Sequence, residues 1–221
     1  MNDSRLSLSA AVFDFDGTLA KLNIDFHLMR KSVVELIDSY DISPHALENL
    51  FALEMIEAGR NLISQKNPKR LSAYVRQANE LIENIEVEAA KSGKLFPGTR
   101  EMLQELKKRK IKTGVVTRNC RSAINLVFPD ISDYFEVVVT REQTPHVKPH
   151  PEHLRLALKK LHVLPVSSSM IGDHPMDISI GRNVGTLTIG VLTGSSSLDD
   201  LVHAGADIIL QKASDLLDVI A

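Results

Sequence analysis

Short apolar runs alternate with helical patterns through most of the chain. The first run, Ala10–Phe13, ends at the acidic turn Asp14–Gly17 and is typical of a buried strand. After residue 97, β-branched runs are separated by segments in which apolar residues recur at helical spacing. These runs lie at 113–117, 135–140, 168–171, 187–191 and 207–210. The alternation predicts an α/β fold, a doubly wound parallel sheet with helices on both faces.

The stretch between the first strand and the later ones has a different pattern, because its apolar residues recur only at helical spacing. It predicts three helices, the second beginning at Pro44 and the third running from Pro68 to Ala89. We therefore predict a helical domain inserted after the first strand. The expected boundaries are 1–20 and 95–221 for the α/β core and 21–94 for the helical insertion.

Composition narrows the class of protein. The 221 residues carry 26 Lys and Arg against 28 Asp and Glu, a net charge of −2, which argues against a protein that grips nucleic acid through its phosphates. Cys120 has no second cysteine to pair with, as is usual in reducing compartments, so we expect a cytoplasmic protein. We also expect no signal peptide and no membrane span, because no long apolar run precedes Asp14.

Polar side chains follow several predicted strands at the point where each strand ends. They are Asp14 and Asp16 after the first strand, Thr117, Arg118 and Asn119 after the second, Lys148 beyond the third, and Gly172, Asp173 and Asp177 after the fourth. Ligands collect at the carboxyl ends of the strands in a parallel sheet, where these side chains are expected to converge. The sequence therefore predicts one site that combines acids, a hydroxyl group and a lysine.

That combination suits phosphoryl transfer, because a carboxylate repels a phosphate unless cations neutralise the site. Asp14 and Asp173 are candidates for holding Mg²⁺, and Asp14 is also positioned to attack phosphorus and form an aspartyl phosphate. Asp16 is the candidate acid and base that protonates the leaving group and then activates water. Lys148 and Thr117 are expected to hold the phosphate.

Four segments together resemble the ordered motifs of the haloacid dehalogenase-like hydrolase superfamily. They are Asp14-Phe-Asp-Gly-Thr-Leu19, Val116-Thr-Arg-Asn119, Lys148-Pro-His-Pro-Glu152 and Gly172-Asp-His-Pro-Met-Asp177. The resemblance covers essentially the whole chain, since the helical block falls where that superfamily inserts a cap domain. Val191-Leu-Thr-Gly194 further resembles phosphoglycolate-phosphatase-like members.

The resemblance implies a Rossmann-like core and a Mg²⁺-dependent phosphatase acting on a small phosphorylated metabolite. It implies that the backbone carbonyl of Asp16 joins Asp14 and Asp173 as metal ligands, and that Asp177 orients metal-bound water or Lys148 without binding the metal itself. Gly172, beside these residues, is expected to serve the tight exit from the strand. Arg118 and Asn119 join Thr117 and Lys148 as candidates for binding phosphate. A dehalogenase is disfavoured, because such enzymes lack an aspartate at the position of Asp16.

Several alternatives stay open at this level. A sugar-phosphate mutase on the same fold is one, and a signalling module that keeps phosphate on aspartate is another. Phosphoglycolate, a nucleotide monophosphate, pyrophosphate and a sugar phosphate are all candidate substrates, and the protein could be a monomer or a homodimer. Arg60 or Lys66 of the helical block is a hypothetical contact for a second anionic group. A zinc site at His146, His150 and His153 is disfavoured by the intervening prolines.

Overall fold

The computed structural model describes residues 6–47 and 49–221. These residues divide into two compact units. One comprises the described residues up to Leu22 together with Ser92–Ala221, and the other comprises Asn23–Lys91. None of the helices in the described part of the chain is both long and apolar enough to cross a lipid bilayer.

Strands in the described residues occur only in the first unit. They are β1 (Ala10–Phe13), β2 (Ala20–Lys21), β3 (Lys94–Leu95), β4 (Lys112–Val116), β5 (Val137–Val139), β6 (Ser168–Gly172), β7 (Leu187–Val191) and β8 (Ile208–Leu210). Six of them form a parallel sheet in the order β5-β4-β1-β6-β7-β8. The predicted α/β fold with a parallel sheet is confirmed.

The register of β1 explains why candidate site residues lie close together at its carboxyl end. Phe13, the last residue of β1, is paired with Val115 of β4 and with Ile171 of β6. The residues that follow these three positions, including Asp14, therefore emerge side by side at the carboxyl edge of the sheet. The Asp14 N–H still donates to the Ile171 carbonyl oxygen (2.8 Å), so the backbone of this turn continues the sheet by one residue.

Helices flank the sheet of the first unit. They are α4 (Thr99–Lys108), α5 (Arg121–Val127), α6 (Glu152–Leu161), α7 (Pro175–Val184), α8 (Leu198–Ala204) and α9 (Leu216–Val219). The helices of the second unit come earlier in the chain and are α1 (Phe26–Asp38), α2 (Ala52–Lys66) and α3 (Leu71–Ala90). Helix α6 packs on β4 and β5, and α7 packs on β6 and β7. Their apolar faces and the strands share one buried cluster that contains Val12, Val116, Leu154 and Met170.

The second unit is helical, as predicted, but its second helix begins later than the sequence pattern indicates. Pro44–Leu47 forms only a short 3₁₀ turn, and α2 starts at Ala52. The prediction of a helix from Pro44 is wrong because the chain is extended at Phe51, the N-cap, and the carbonyl oxygen of Leu50 accepts a hydrogen bond from Arg30. The first hydrogen bond of α2 joins the Met55 N–H to the Phe51 carbonyl oxygen (2.8 Å), so the helix begins after Phe51.

Strands β2 and β3 form an antiparallel pair that the sequence analysis did not predict. Ala20 pairs with Leu95, and Lys21 pairs with Lys94. Two-residue strands carry too few positions for alternation to be visible in the sequence. The pair joins the two chain segments that lead into and out of the helical unit.

Candidate active site

The turn after β1 is held in shape by its own backbone. The Leu19 and Ala20 N–H groups both donate to the Phe15 carbonyl oxygen, at 2.9 and 3.0 Å. Gly17 has φ +81°, a left-handed conformation that favours glycine. The Asp16 carboxylate accepts the Leu22 N–H at 2.9 Å. The sequence Asp14–Ala20 therefore folds into a tight loop that fixes both candidate catalytic aspartates.

Lys148 lies between two carboxylates. Its Nζ atom is 2.7 Å from Asp14 Oδ1 and 2.6 Å from Asp177 Oδ1, and its side chain is 3% exposed. Asp177 is also buried, whereas the Asp14 side chain keeps 13% of its surface exposed. The structure thus brings together an acid from the end of β1, a lysine from the loop before α6 and an acid from the first turn of α7.

Asp173 completes the acidic group from the end of β6. Its Oδ1 accepts a hydrogen bond from the Thr18 hydroxyl at 2.9 Å. A β-carbon at either Gly17 or Gly194 would overlap with the Asp173 carboxylate, so both glycines leave the space that this side chain fills. The Thr193 hydroxyl donates to the Gly17 carbonyl oxygen at 2.6 Å, which ties the loop after β7 to the turn after β1.

The three residues that follow β4 contact one another and neighbouring strand ends and loops. Thr117 is buried, its N–H donates to the Val139 carbonyl oxygen (3.1 Å), and its hydroxyl accepts the Asn119 N–H (3.1 Å). The Asn119 side chain is buried, and within the described part of the chain its Nδ2 has no hydrogen-bond partner. Arg118 donates from Nη1 to the Lys148 carbonyl oxygen (2.8 Å).

Gly172 makes room for Asp177, which is one of the three acids of the site. A β-carbon at Gly172 would overlap with the Asp177 carboxylate, so the absence of a side chain at this strand end makes room for that acid. Asp177 Oδ2 accepts the His174 N–H at 3.1 Å, which closes the N-terminal turn of α7. One Asp177 oxygen therefore caps a helix while the other binds Lys148.

Burial and the charges of neighbouring groups shift the pKa values of Asp14, Asp173 and Lys148. Burial raises the pKa of Asp14 to about 6, although Lys148 partly offsets this rise. Burial, together with the charges of Asp14 and Asp177, raises the pKa of Asp173 to about 8. Burial opposes the charged form of Lys148, but the two carboxylates outweigh it and raise the pKa of the ammonium group. The site therefore holds more negative charge than it can easily stabilise.

This arrangement fits a divalent cation. Asp14, Asp173 and Asp177 each offer a carboxylate oxygen, and these three oxygens lie within 4.8 Å of one another. Lys148 supplies one positive charge to the group, so two negative charges stay unbalanced when all three acids are ionised. A hard cation such as Mg²⁺ prefers carboxylate oxygens and would supply the missing positive charge.

Three contributors to this site were not assigned a task by the sequence analysis. Thr18 follows the two acids in the first motif, and Gly194 belongs to a quoted segment, so both lay within recognisable patterns. His153 gave no such signal, since a histidine five residues after a lysine has no general meaning. Its ring is fully buried and contacts the backbone of Lys148.

Residues 11–191 match the family described as haloacid dehalogenase-like hydrolase. The chain belongs to this family. The recognition made from the four motifs is confirmed, and so is the prediction that the protein is an enzyme of the phosphatase type found in this superfamily.

Members of the haloacid dehalogenase-like family resemble this chain over nearly its full length. Pyrophosphatase PpaX of Bacillus cereus (strain ATCC 10987 / NRS 248) is 31% identical, and the match covers 98% of each protein. A structure described as a "predicted phosphoglycolate phosphatase" from Haemophilus somnus 129pt has a TM-score of 0.66 at 18% identity, over 96% of this chain and 97% of that one. CbbY from Rhodobacter sphaeroides, in complex with phosphate, has a TM-score of 0.62 at 22% identity, over 95% and 96%. The two structures show a shared fold.

Proposed function

We propose that this enzyme is a Mg²⁺-dependent phosphatase that hydrolyses a small phosphorylated compound through an aspartyl phosphate on Asp14. The observation that carries the proposal is the contact of the Lys148 ammonium group with both Asp14 and Asp177 at the carboxyl edge of the sheet. A nucleophilic carboxylate needs a fixed cation beside it before it can approach a phosphate. Lys148 supplies that cation.

The first half of the reaction transfers the phosphoryl group to the enzyme. An Asp14 carboxylate oxygen forms a bond to phosphorus while the bond between phosphorus and the leaving oxygen breaks. Asp16 donates its proton to that leaving oxygen. Lys148 and Thr117 hold the phosphate oxygens, and their fixed positions favour in-line attack.

The second half releases phosphate. Asp16 now takes a proton from water, the water oxygen attacks phosphorus, and the bond between Asp14 and phosphorus breaks, which restores both aspartates. Asp14, Asp173 and the carbonyl oxygen of Asp16 are the groups that would hold Mg²⁺. When bound, the cation neutralises the acidic group and the phosphate charge.

Inorganic pyrophosphate is the substrate that we propose to test first. The support is the 31% identity to pyrophosphatase PpaX of Bacillus cereus over 98% of each protein. Both halves of pyrophosphate are small anions, so the Lys148 and Thr117 side chains that hold one phosphate suit either half. Phosphoglycolate, nucleotide monophosphates and sugar phosphates form the comparison panel.

Phosphate release should be measured for this panel with Mg²⁺ and with a chelator. We expect hydrolysis only with Mg²⁺, and Asp14→Asn should lower kcat by at least roughly 10³-fold, because an amide cannot attack phosphorus. Asp199→Asn is the matched control, since Asp199 is exposed on α8. Near-normal turnover in a folded Asp14→Asn protein would refute the nucleophile assignment, and an isomerised sugar phosphate without free phosphate would indicate a mutase.

A further inference from the structure

His153 is a buried histidine that the proposed reaction does not use. It lies in the first turn of α6, and its side chain has no exposed surface. Both ring nitrogens contact backbone atoms. The Lys148 N–H donates to His153 Nδ1 (3.1 Å), and His153 Nε2 lies 3.2 Å from the Val139 carbonyl oxygen. Because Nδ1 accepts, the ring proton is on Nε2, and Nε2 donates to Val139.

The contact at Val139 connects His153 to a second candidate residue. The same carbonyl oxygen accepts the Thr117 N–H at 3.1 Å. A carbonyl oxygen has two lone pairs and can accept from both donors. The Val139 carbonyl oxygen, at the end of β5, thus connects the backbone of Thr117 to the His153 ring. The same ring contacts the backbone of Lys148 through its other nitrogen.

The peptide of Lys148 is therefore held on both sides. His153 accepts its N–H, and Arg118 Nη1 donates to its carbonyl oxygen at 2.8 Å. Five single bonds join the Cα of Lys148 to its ammonium nitrogen. Because this side chain is buried and has little room to adjust, a displaced backbone would carry Nζ away from its two carboxylates. A small displacement of such a group is enough to slow a reaction substantially.

We propose that His153 is a positioning residue that keeps the Lys148 ammonium group and Thr117 at a fixed spacing. A neutral imidazole accepts the Lys148 N–H at Nδ1 and donates to the Val139 carbonyl oxygen from Nε2, so one ring spans this gap. Burial and the charge of Lys148 lower the pKa of His153 to about 3, which keeps the ring neutral. The inference rests on the function proposed for Lys148.

Three substitutions separate this role from simple packing. His153→Asn places an acceptor near the position of Nδ1 and should keep the bond to Lys148. His153→Gln places its polar group near the position of Nε2 and should lose that bond, and His153→Leu loses both bonds. His162→Asn is the matched control, because His162 is exposed at the other end of α6 in a left-handed conformation that asparagine tolerates.

The rate of chemical labelling measures how accessible the Lys148 amine is, and this measurement does not depend on enzyme activity. In the unsubstituted protein, acetic anhydride should label the exposed Lys159 quickly and the buried Lys148 slowly, as followed by peptide mass spectrometry. We expect Lys148 to label at least roughly tenfold faster in His153→Leu and His153→Gln, and at nearly the original rate in His153→Asn. Lys159 should label equally in every variant.

Hydrolysis of p-nitrophenyl phosphate gives the second readout. We expect kcat/KM to fall by roughly 10- to 100-fold in the Leu and Gln variants, and His153→Asn to stay within roughly threefold of the original value. If His153→Leu does not fold, His153→Gln decides the result. The proposal is overturned if Lys148 stays protected in a folded Gln variant, or if Asn and Gln behave alike. Should the unsubstituted enzyme not hydrolyse phosphate esters, the proposed function fails and labelling still decides the role of His153.

Discussion

Several polar side chains of this site are buried, whereas most charged and polar side chains in proteins are exposed to water. Lys148 is buried between Asp14 and Asp177, and an unpaired charge at any of the three positions would be costly. His153 is buried as a neutral ring whose two nitrogens bind backbone groups. Two predictions concern single residues of this kind.

His153 should make the protein sensitive to acid. Its pKa is about 3 when folded and 6.5 in an unfolded chain, so between these pH values the unfolded state binds a proton that the folded state does not. Stability contributed by the neutral ring is complete above about pH 6.5 and falls as the pH drops towards 3, by up to about 1.4 kcal/mol per pH unit.

Urea unfolding between about pH 7.5 and about pH 5 measures this slope. The His153→Asn protein should lose less stability on acidification than the original protein, because asparagine does not titrate. His162→Asn should keep the original slope. Equal slopes for His153→Asn and the unsubstituted protein would show that the ring titrates normally in the folded state.

Asp16 should control the lifetime of the phosphorylated enzyme. Asp16→Asn keeps an oxygen that can accept the Leu22 N–H but cannot take a proton from water. We expect kcat to fall roughly 10²- to 10⁴-fold and phosphoenzyme to accumulate, because the second half of the reaction needs a base. Acid quenching after mixing with ³²P-labelled pyrophosphate measures the amount of phosphoenzyme. A variant that turns over at the original rate without a trapped intermediate would remove Asp16 from the mechanism.

At the scale of elements, the loops that follow five strands, β1, β4, β5, β6 and β7, supply the site. The loop after β7 contributes no charged group, yet Thr193 binds the turn after β1 and Gly194 faces the Asp173 carboxylate. This loop contributes by leaving space for the Asp173 carboxylate, which a side chain at position 194 would displace.

Gly194→Ala should therefore impair metal binding. The added β-carbon would overlap with the Asp173 carboxylate, and either the acid or the loop must move. We expect Mg²⁺ affinity, measured by calorimetry, and kcat to fall roughly 10- to 100-fold, as for other groups that support metal ligands. The neighbouring change Ser195→Ala is the control and should alter neither. Unchanged Mg²⁺ affinity in Gly194→Ala would show that the loop gives way without disturbing Asp173.

At the scale of the whole molecule, we expect the site to lower the stability of the fold that carries it. Three carboxylates within 4.8 Å share one ammonium group, and burial strengthens their repulsion. The first unit tolerates this arrangement because a six-stranded sheet and its helices provide a large buried core. Functional sites commonly cost stability in this way.

Asp173→Asn should stabilise the metal-free protein. An amide oxygen can still accept the Thr18 hydrogen bond, while the repulsion of Asp14 and Asp177 disappears. We expect the unfolding temperature in chelator to rise by about 2–4 °C, which corresponds to about 1 kcal/mol. Added Mg²⁺ should raise the unfolding temperature of the original protein and of Asp199→Asn, but not that of Asp173→Asn. A lower unfolding temperature in chelator would contradict the proposed repulsion.

The sequence by itself determined the class of fold, the helical insertion and the family. Alternating apolar runs and helical segments are local patterns, and each is visible over a few residues. Asp14 and Asp173 stood at predicted strand ends, and Lys148 stood between a predicted strand and the next helix, so we expected them to converge at the carboxyl edge of a parallel sheet. Their roles in catalysis stay predictions that the proposed experiments test.

Only the tertiary structure decided which atoms meet. Thr18 and Asp173 are 155 positions apart in the chain, and nothing local indicates that one donates to the other. The sequence around His153 does not predict its contacts, which are with the backbone of Lys148 and the end of β5. Hydrogen bonds and close packing depend on tenths of an ångström between distant segments, and residue order alone does not contain those distances.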